Sequence, residues 1–407
     1  MPITPVLLIG DSPSCPSGLG RILREIAIRA DAHLRDKCRV ASLGCGGPGS
    51  RQLHFQQYAA EGVDDNFVIK NLPEVWDDWA GDEPGVILCV WDVSRLGWLS
   101  RPKVMCEEPS LRNFLVEAKI KRWIYAPVDA EGPRGSLTYP LQQALSGFDR
   151  ILGYSKWSEG IIRNTLGDEA SKAHHLTSIP HGIDSKVFFP RDRASARLNF
   201  LSLTGVFAAE TLVDRKSHLT AIQSDEPLIG AVATNQARKN WGLWAEACSL
   251  FLERHPKARF WIHTDKLERY WSIPALLVDF NLIGKTLVSL SHLEDDKMAK
   301  AYSACDLTLA CGPEGFGFPI FESLFCGTPC IHGNYGGAPE HMADDLLVNP
   351  VAYHHEGLYS SKRPVYSAKD WVVRMESALG HRVTWPVHLG WEAVWPQFET
   401  WFRNGLA

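Results

Sequence analysis

Short apolar runs alternate along the chain with segments whose apolar residues recur every three or four positions. The first pair is the run Pro5–Asp11, "PVLLIGD", followed by the amphipathic stretch Gly18–Leu34. A continuous apolar run is typical of a strand buried on both faces, and the periodic spacing is typical of a helix that covers it. The first half of the chain repeats this pattern, which predicts further strands at Cys38–Gly44, Gly85–Asp92, Lys121–Asp129 and Arg150–Ser155.

The alternation is interrupted once, near residue 190, after the segment Ile179–Pro190. It then resumes, and it predicts strands at Pro227–Thr234, Ala258–Asp265, Thr286–Ser291, Asp306–Gly312 and Pro329–Gly333, with helices at Asn240–His255 and Glu294–Ala304. Strands separated by helices favour parallel sheets covered on both faces. We therefore predict an α/β fold of two facing doubly wound Rossmann-like domains with a cleft between them. Their bounds are 1–188 and 189–380, and a tryptophan-rich helical tail, 381–407, packs at the domain seam.

Composition excludes several classes of protein. The 407 residues are 45% hydrophobic and 22% charged, with a net charge of −5, so nothing global indicates a polyanion binder. We find no basic secretory leader and no run of about 20 apolar residues that would cross a membrane. The ten cysteines lie mostly in apolar segments and are typical of reduced thiols, which favours a cytoplasmic protein. Cys326, Cys330 and His332 have no standard zinc spacing, and we expect no metal site.

The segment "GPEGFGFPIFESLFCGTPCIHG", Gly312–Gly333, carries the most specific chemistry. It places Glu314 and Glu322 eight residues apart around a glycine-rich start of a helix. Glycines at a helix entry let backbone N–H groups approach an anion closely. Carboxylates beside that anion suit a phosphate that carries hydroxyl-rich sugars at either end. The alternative is a helix that has an acidic residue in its first turn and no ligand.

Four segments together resemble retaining GT-B glycosyltransferases of the large family 4 group. The first is the glutamate segment with Gly336–His341, "GGAPEH", which is similar to the family's Glu-x7-Glu donor motif. Ile179–Pro190 resembles the family's hinge, Val232–Trp241 its phosphate-binding loop, and Ser291–Gly312 the lead into the glutamate motif. The resemblance covers about residues 150–345 well and the N-terminal half loosely.

The resemblance implies roles for residues of the C-terminal domain, which would bind a nucleotide-sugar. Glu322 would accept hydrogen bonds from the ribose, and Glu314 would bind the donor sugar. Lys239 matches the family's phosphate-binding lysine, whereas Thr234 stands at the family's arginine position, so Arg238 is the candidate substitute. The donor would also contact the start of the helix through Gly315, Phe316, Gly317 and Phe318.

The N-terminal domain would be the acceptor side. Gly18 and Gly20 follow the first strand and are candidates for donor contact. Asp129 resembles a family variant at the position that often holds a histidine, so it is our candidate for binding or deprotonating the acceptor hydroxyl. A strand-end aspartate that caps the next helix is the alternative. Asp92 and His181 are further candidates for the acceptor side or the cleft.

The sequence therefore predicts a retaining glycosyltransferase that moves a sugar from a UDP- or GDP-sugar to an unidentified acceptor, with no other cofactor. The chain contains no Asp-x-Asp motif, which favours a metal-independent reaction. A hydroxymethylated DNA base is one alternative acceptor, because cations are frequent early in the chain, at Arg21, Arg24, Arg29, Arg35, Lys37, Arg39 and Arg51. The sequence is also compatible with a GT-B epimerase of nucleotide-sugars and with a non-catalytic sugar-binding relative.

Overall fold

The structure is a computed structural model that describes residues 3–46, 53–60, 65–200, 226–290, 292–381 and 383–407. The chain forms two compact units. Unit 1 comprises Met1–His181, Gly357–Ser361 and Glu392–Ala407. Unit 2 comprises Gly182–Glu356 and Lys362–Trp391.

Unit 1 is built on a seven-stranded parallel sheet with the order β3-β2-β1-β4-β5-β6-β7. The strands are β1 Thr4–Asp11, β2 Cys38–Cys45, β3 Gln56–Ala60, β4 Gly85–Val90, β5 Ile120–Ala126, β6 Arg150–Gly153 and β7 Thr177–Ser178. The helices of this unit are Gly18–His33, Asp65–Ala80, Gly97–Ser100, Pro102–Met105, Pro109–Glu117, Tyr139–Leu145, Lys156–Leu166 and Asp168–Ala173.

Unit 2 repeats this architecture with a six-stranded parallel sheet in the order β10-β9-β8-β11-β12-β13. The strands are β8 Leu228–Val232, β9 Arg259–Thr264, β10 Thr286–Leu290, β11 Leu307–Ala310, β12 Cys330–Gly333 and β13 Leu347–Val348. The helices are Arg193–Leu198, Trp241–Arg254, Ile273–Asp279, Asp295–Ala304, Phe318–Phe325 and Ala368–Ala378. A separate two-stranded sheet pairs β14 Ala352–Glu356 with β15 Ser361–Val365.

The central strands are apolar because both of their faces are covered. All six residues of β4 and all four of β12 are buried. In unit 1, Leu7 and Ile9 of β1 pack in one core cluster with Ile87 and Ile124, all of them fully buried. Burying one such aliphatic side chain stabilises a fold by roughly 1.5–3 kcal/mol. The predicted α/β fold class is confirmed.

In each sheet, successive strands are first added towards one edge and then, after a single reversal, towards the other edge. In unit 1 the order reverses between β1 and β4, whose residues pair from Val6↔Val86 to Gly10↔Val90. In unit 2 it reverses between β8 and β11, through the pairs Leu307↔Ile229 and Thr308↔Gly230. Loops that leave the carboxyl ends of the two strands at such a point diverge to opposite faces and leave a crevice for ligands. The topology therefore places one candidate site on each unit.

The units differ in extent from the domains that the sequence suggested. The division falls between His181 and Gly182 rather than after residue 188, because Ile183 pairs with Gly390 in the backbone of unit 2. The predicted tail is also divided, since unit 2 ends at Trp391 and the following residues belong to unit 1. The predicted tryptophan-rich helix exists but spans Trp391–Leu406.

Candidate functional site

Two loops meet at the strand-order reversal of unit 2. The loop after β8 runs through the single turn Ala237–Lys239, and Asn240 follows with φ +52°. The Asn240 side chain caps helix Trp241–Arg254 by accepting a hydrogen bond from the Leu243 N–H at 3.3 Å. The loop after β11 leads to Glu314 and then to helix Phe318–Phe325. Because β8 and β11 are neighbours, Lys239 and Glu314 emerge side by side.

The loop after β8 is held by the fully buried Asn235. The Asn235 backbone N–H donates to Asp265 Oδ1 at 2.6 Å, and its side-chain amide donates to the Trp271 carbonyl at 2.7 Å. Trp271 in turn donates from its backbone N–H to Asn235 Oδ1 at 3.0 Å and from its indole to the Gln236 carbonyl at 3.2 Å. These bonds hold in place the loop that carries the two cations.

Glu314 lies against both cations of the β8 loop. The Lys239 ammonium pairs with Glu314 Oε1 at hydrogen-bond distance. The Arg238 guanidinium lies 3.3 Å from Glu314 Oε2 and donates to the Pro313 carbonyl at 2.9 Å. The side chains of Glu314 and Lys239 are only 15% and 11% exposed, so water screens this pair weakly.

The charge state of Glu314 follows from these neighbours. Burial by itself would raise the pKa of the Glu314 carboxyl, but Lys239 and Arg238 outweigh it and lower that pKa to about 2. Glu314 is therefore ionised at neutral pH. His332, fully buried on the adjacent strand β12, has its pKa lowered by burial, and its Nδ1 lies 2.8 Å from the Ala310 carbonyl oxygen.

Glycines allow the segment around Glu314 to pack closely against the backbone of neighbouring loops. A Cβ at Gly312 would clash with the Arg238 carbonyl oxygen and would lie 2.7 Å from Lys239 Cα. Gly336 has φ +100°, and a Cβ there would clash with the Glu314 carbonyl oxygen, which accepts a hydrogen bond from the Gly337 N–H at 3.1 Å. A side chain at either position would push apart the loops that form the site.

Helix Phe318–Phe325 starts beside Glu314 without a side-chain cap. Gly317 is its N-cap residue with φ +88°, a conformation that L side chains rarely adopt. Gly315 is buried beside it. The Phe316 ring packs on Phe318 and Phe321, with centroid distances of 5.5 and 4.6 Å. The predicted donor contacts at 315–318 thus form the entry of a short helix whose backbone is fixed by ring packing.

Glu322 lies one turn inside that helix and is 4% exposed. The phenol of Tyr302 donates a hydrogen bond to Glu322 Oε2 at 3.0 Å. Tyr302 is itself buried, and its pKa is raised by burial and then by the Glu322 charge, so the phenol stays a donor. The second glutamate of the motif therefore lies one turn after the helix start. Its carboxylate is oriented by Tyr302 of helix Asp295–Ala304.

At the strand-order reversal of unit 1, Asp11 ends β1. Asp11 accepts hydrogen bonds from the Ser17 hydroxyl at 2.5 Å and from the Trp91 indole at 2.8 Å. Ser17 also caps helix Gly18–His33 by accepting from the Gly20 N–H at 3.0 Å. Gly18 is exposed, whereas Gly20 is buried where a Cβ would lie 2.6 Å from the Ser12 carbonyl oxygen. Close backbone packing is thus sufficient reason for a glycine at 20.

Three more of the predicted residues follow the neighbouring strands of unit 1. Asp92, after β4, is exposed, and its side chain does not cap the turn that it precedes. Asp129, after β5, is half-buried. His181 is 2% exposed, and its Nδ1 lies 2.8 Å from the Tyr125 hydroxyl, while burial lowers its pKa well below the usual range. His181 is therefore a neutral, interior side chain.

The residues that hold the candidate site in place were not among those predicted. Asn235, Gly312 and Tyr302 all lie inside the quoted motifs, but nothing in their spacing distinguishes a residue that fixes a loop from one that contacts a ligand. Tyr154, directly after β6, was also absent from the predictions. Its ring packs on Tyr125 and His181 at centroid distances of 4.6 and 4.0 Å.

The described residues contain no group of three or more histidine, cysteine, aspartate or glutamate side chains that could hold a metal ion. Within the same described part of the chain, no helix has the length and apolar character that a membrane crossing needs. All ten cysteines are free thiols, and every one except Cys15 is buried.

Comparison with known families concerns mainly unit 2. Residues 214–351 match the family described as Glycosyl transferases group 1. A D-inositol 3-phosphate glycosyltransferase of Mycobacteroides abscessus is 25% identical over 274 residues, which are 64% of this chain and 54% of that protein. The serotype-specific mannosyltransferase WbdA of Escherichia coli is 27% identical over 216 residues, 50% of this chain and 26% of that protein. The chain spans about half the length of the D-inositol 3-phosphate glycosyltransferases that it matches.

Solved structures with the same fold cover nearly the whole chain. Sucrose-phosphate synthase from Thermosynechococcus elongatus superposes with a TM-score of 0.66 at 16% identity, covering 98% of both chains. Anabaena HepE in complex with UDP and glucose superposes with a TM-score of 0.62 at 14% identity, covering 92% of this chain and 89% of that one. These likenesses confirm the predicted GT-B fold.

Proposed function

We propose that this protein is a retaining glycosyltransferase that transfers a sugar from a nucleotide-sugar to an acceptor hydroxyl. One observation supports this most strongly. Glu314, Lys239 and Arg238 are brought together where the strand order of unit 2 reverses, within the region that matches the glycosyl transferases group 1. Fold alone would not justify the proposal, because this fold serves many reactions.

Unit 2 would bind the donor through its two cations. The diphosphate would take Lys239 and Arg238 as partners, which leaves the Glu314 carboxylate to accept hydrogen bonds from the donor sugar. Negative charge develops on the diphosphate as its bond to the sugar breaks. Cations that are already fixed in a weakly screened site stabilise that charge without reorganising. The helix entry at 315–318 would contribute backbone N–H groups and the positive end of the helix dipole.

Glu322 would bind the ribose. Its carboxylate is oriented by the Tyr302 phenol, and a carboxylate oxygen is a strong acceptor for a sugar hydroxyl. Anabaena HepE, which has the same fold, forms complexes with UDP and with UDP-glucose. A UDP- or GDP-sugar is therefore the proposed donor.

Unit 1 would bind the acceptor, with Asp129 as the residue that binds or deprotonates the acceptor hydroxyl. In a same-face displacement the departing diphosphate oxygen takes the acceptor proton as the new glycosidic bond forms and the sugar–phosphate bond breaks. The protein then contributes positioning and charge stabilisation. The exposed Asp92 and Gly18 remain candidates for contact, whereas His181 and Gly20 are buried. A cytoplasmic, metal-independent reaction remains our prediction.

A DNA acceptor is less favoured by the charges of unit 1. Four of the early arginines are paired with carboxylates: Arg29 and Arg24 with Glu25, Arg35 with Asp31, and Arg39 with Glu83, at 2.5, 3.4, 3.0 and 2.9 Å. Arg51 lies outside the described residues. The carboxylates of these pairs lower the net positive charge that a DNA backbone would meet at this surface. Among the residues that the structure describes, no specific contact favours an epimerase.

The proposal is tested by a donor screen with the purified chain. We expect one nucleotide-sugar among UDP-glucose, UDP-galactose, GDP-mannose and ADP-glucose to raise the unfolding temperature and to be hydrolysed slowly without acceptor. Turnover should persist in excess EDTA. Absence of both binding and hydrolysis for every donor would refute the proposal, and activity that EDTA abolishes and manganese restores would refute the metal-independent mechanism.

A further inference from the structure

Both oxygens of the Glu314 carboxylate are paired with cations of the loop after β8. The Lys239 ammonium pairs with Glu314 Oε1, and the Arg238 guanidinium lies 3.3 Å from Glu314 Oε2. Arg238 is held at this place by a second hydrogen bond, which it donates to the Pro313 carbonyl at 2.9 Å. The two cations that would bind a diphosphate are therefore already partners of a carboxylate of the protein itself.

The Glu314 side chain is fixed beside these cations. The Glu314 backbone forms a parallel bridge with Gly336, and its carbonyl accepts a hydrogen bond from the Gly337 N–H at 3.1 Å. A Cβ at Gly317 would lie 3.1 Å from both Cβ and Cγ of Glu314, so the stem of the side chain packs directly against the start of helix Phe318–Phe325. Lysine and arginine side chains are longer and more flexible, so the cations can turn to a ligand more easily than Glu314 can move away.

An anion that reaches these cations competes with the charge of Glu314. Lys239 and Glu314 line the same pocket, together with Ala233 and Gly312. Burial by itself would raise the pKa of the Glu314 carboxyl, but Lys239 and Arg238 lower that pKa to about 2, so the carboxylate is charged at neutral pH. Because the side chains of this cluster are at most 24% exposed, water screens their charges weakly, and two anions that share the cations repel each other.

We propose that Glu314 is a specificity-determining residue that lowers the affinity of the site for a nucleoside diphosphate relative to the corresponding nucleotide-sugar. Both ligands bring a diphosphate that competes with the Glu314 carboxylate for Lys239 and Arg238. Only the nucleotide-sugar also brings hydroxyl groups, which donate hydrogen bonds to the carboxylate that the cations have left.

The same competition promotes release of the product. After sugar transfer the nucleoside diphosphate no longer carries the hydroxyl groups that satisfied Glu314. The return of Lys239 and Arg238 to Glu314 then favours dissociation of the nucleoside diphosphate, a step that limits turnover in many enzymes. This inference rests on the proposed function and adds to it a means of discriminating substrate from product.

Titration calorimetry on the full chain tests the competition, with the nucleotide-sugars of the donor screen and with UDP, GDP and ADP as probes. Glu314→Gln keeps the shape of the side chain and removes its charge. We expect its Kd for the nucleoside diphosphate to fall about tenfold or more, because a weakly screened negative charge beside the diphosphate is gone. The Kd for the matching nucleotide-sugar should fall less, since an amide is a weaker acceptor for sugar hydroxyls than a carboxylate. Glu253→Gln, the same charge change at an exposed position of unit 2, should leave both Kd values unchanged.

Variants of Lys239 distinguish competition from the simple loss of a charge. Lys239→Ala leaves the Glu314 charge less compensated and should weaken binding of the nucleoside diphosphate about tenfold. In Lys239→Ala/Glu314→Gln the cation and its competitor are both absent, so the Kd should return close to the wild-type value. This double variant leaves neither member of the pair without its partner, so it tests the competition even if Glu314→Gln does not fold.

The outcomes separate this inference from the proposed function. If no nucleotide-sugar binds the wild type, the proposed function fails. If one binds but Glu314→Gln leaves the Kd of its nucleoside diphosphate unchanged or raises it, the competition is refuted while the proposed function stands. Equal tightening for nucleoside diphosphate and nucleotide-sugar would show that Glu314 does not discriminate between them. A double variant that binds the nucleoside diphosphate as weakly as Lys239→Ala would likewise overturn the inference.

Discussion

The strand-order reversals of the two units are topologically alike but carry different side chains. Each sheet places the carboxyl ends of two central strands side by side, β1 with β4 and β8 with β11. In unit 2 the loops that follow these strands are joined by ion pairs between Lys239 and Arg238 on one loop and Glu314 on the other. In unit 1 the corresponding strand ends carry Asp11 and Asp92, and Arg95 lies 3.9 Å from Asp11 Oδ1. The fold supplies the crevice twice, and a few loop side chains decide what each crevice can bind.

The largest effect should come from removing the main cation of unit 2. Lys239→Ala should lower turnover on the order of 100-fold or more while donor affinity changes less, because its charge acts most on the leaving diphosphate. Steady-state kinetics with a hydrolysed donor measure this, and Lys257→Ala, at an exposed lysine of the same unit, is the control. Near wild-type turnover would refute the phosphate role of the loop and with it the contrast between the two strand-order reversals.

Arg238→Ala tests whether the second cation of this loop also stabilises the leaving diphosphate. A loss of turnover comparable to that of Lys239→Ala would mean that Arg238 takes the role of the family's arginine, whose position Thr234 occupies in this chain. A small effect would mean that Arg238 only supports Glu314 and the Pro313 carbonyl. The same kinetic measurement distinguishes these results.

Glu322→Ala should weaken binding of the nucleoside diphosphate. The loss of a hydrogen bond to a charged group corresponds to roughly 1–3 kcal/mol, or about 5- to 150-fold in Kd. Titration calorimetry with UDP and GDP measures it. Tyr302→Phe keeps the carboxylate and removes only its phenol donor, so its effect should be smaller. Unchanged affinity in Glu322→Ala would contradict the ribose role.

Gly312→Ala tests whether the close approach of the two unit 2 loops matters. The added Cβ would lie 2.7 Å from Lys239 Cα, so the loops must separate. Overpacking of this kind typically destabilises a protein by about 1–3 kcal/mol, which thermal unfolding would register together with reduced turnover. Gly284→Ala is the matched control, since nothing lies within 4 Å of a Cβ there. Equal effects of the two substitutions would show that the approach is not required.

The smallest expected effect is on the stability of the folded state at acidic pH. Because the pKa of Glu314 is lowered from 4.5 to about 2 in the fold, its ionisation stabilises the native state fully above about pH 4.5. That contribution is lost as the pH falls towards 2. Glu314→Gln should therefore lose less stability than the wild type between pH 4.5 and 3 in urea denaturation. The exposed Glu253→Gln should follow the wild type. An identical loss in Glu314→Gln and wild type would contradict the ion pairing.

The order of elements was predictable because it follows from local patterns. Every strand and helix predicted from apolar periodicity exists within a few residues, for example β9 at Arg259–Thr264 inside the predicted Ala258–Asp265. Strands that were missed are short or exposed, such as β7 at Thr177–Ser178 and β14, whose residues lie mostly at the surface. Such strands lack the continuous apolar run on which the prediction depends.

The candidate chemistry was predictable only where it lies within one segment. The sequence by itself determined that Glu314 and Glu322 share a helix entry and that Arg238 and Lys239 precede another helix. It could not determine that these two segments touch, because 75 residues separate Lys239 from Glu314. Nor could it show that Asn235 and Tyr302 hold the site, or that Asp11, Asp92 and Asp129 lie at the ends of adjacent strands of unit 1. Those relations depend on the parallel strand order, which brings distant strand ends together through long crossovers.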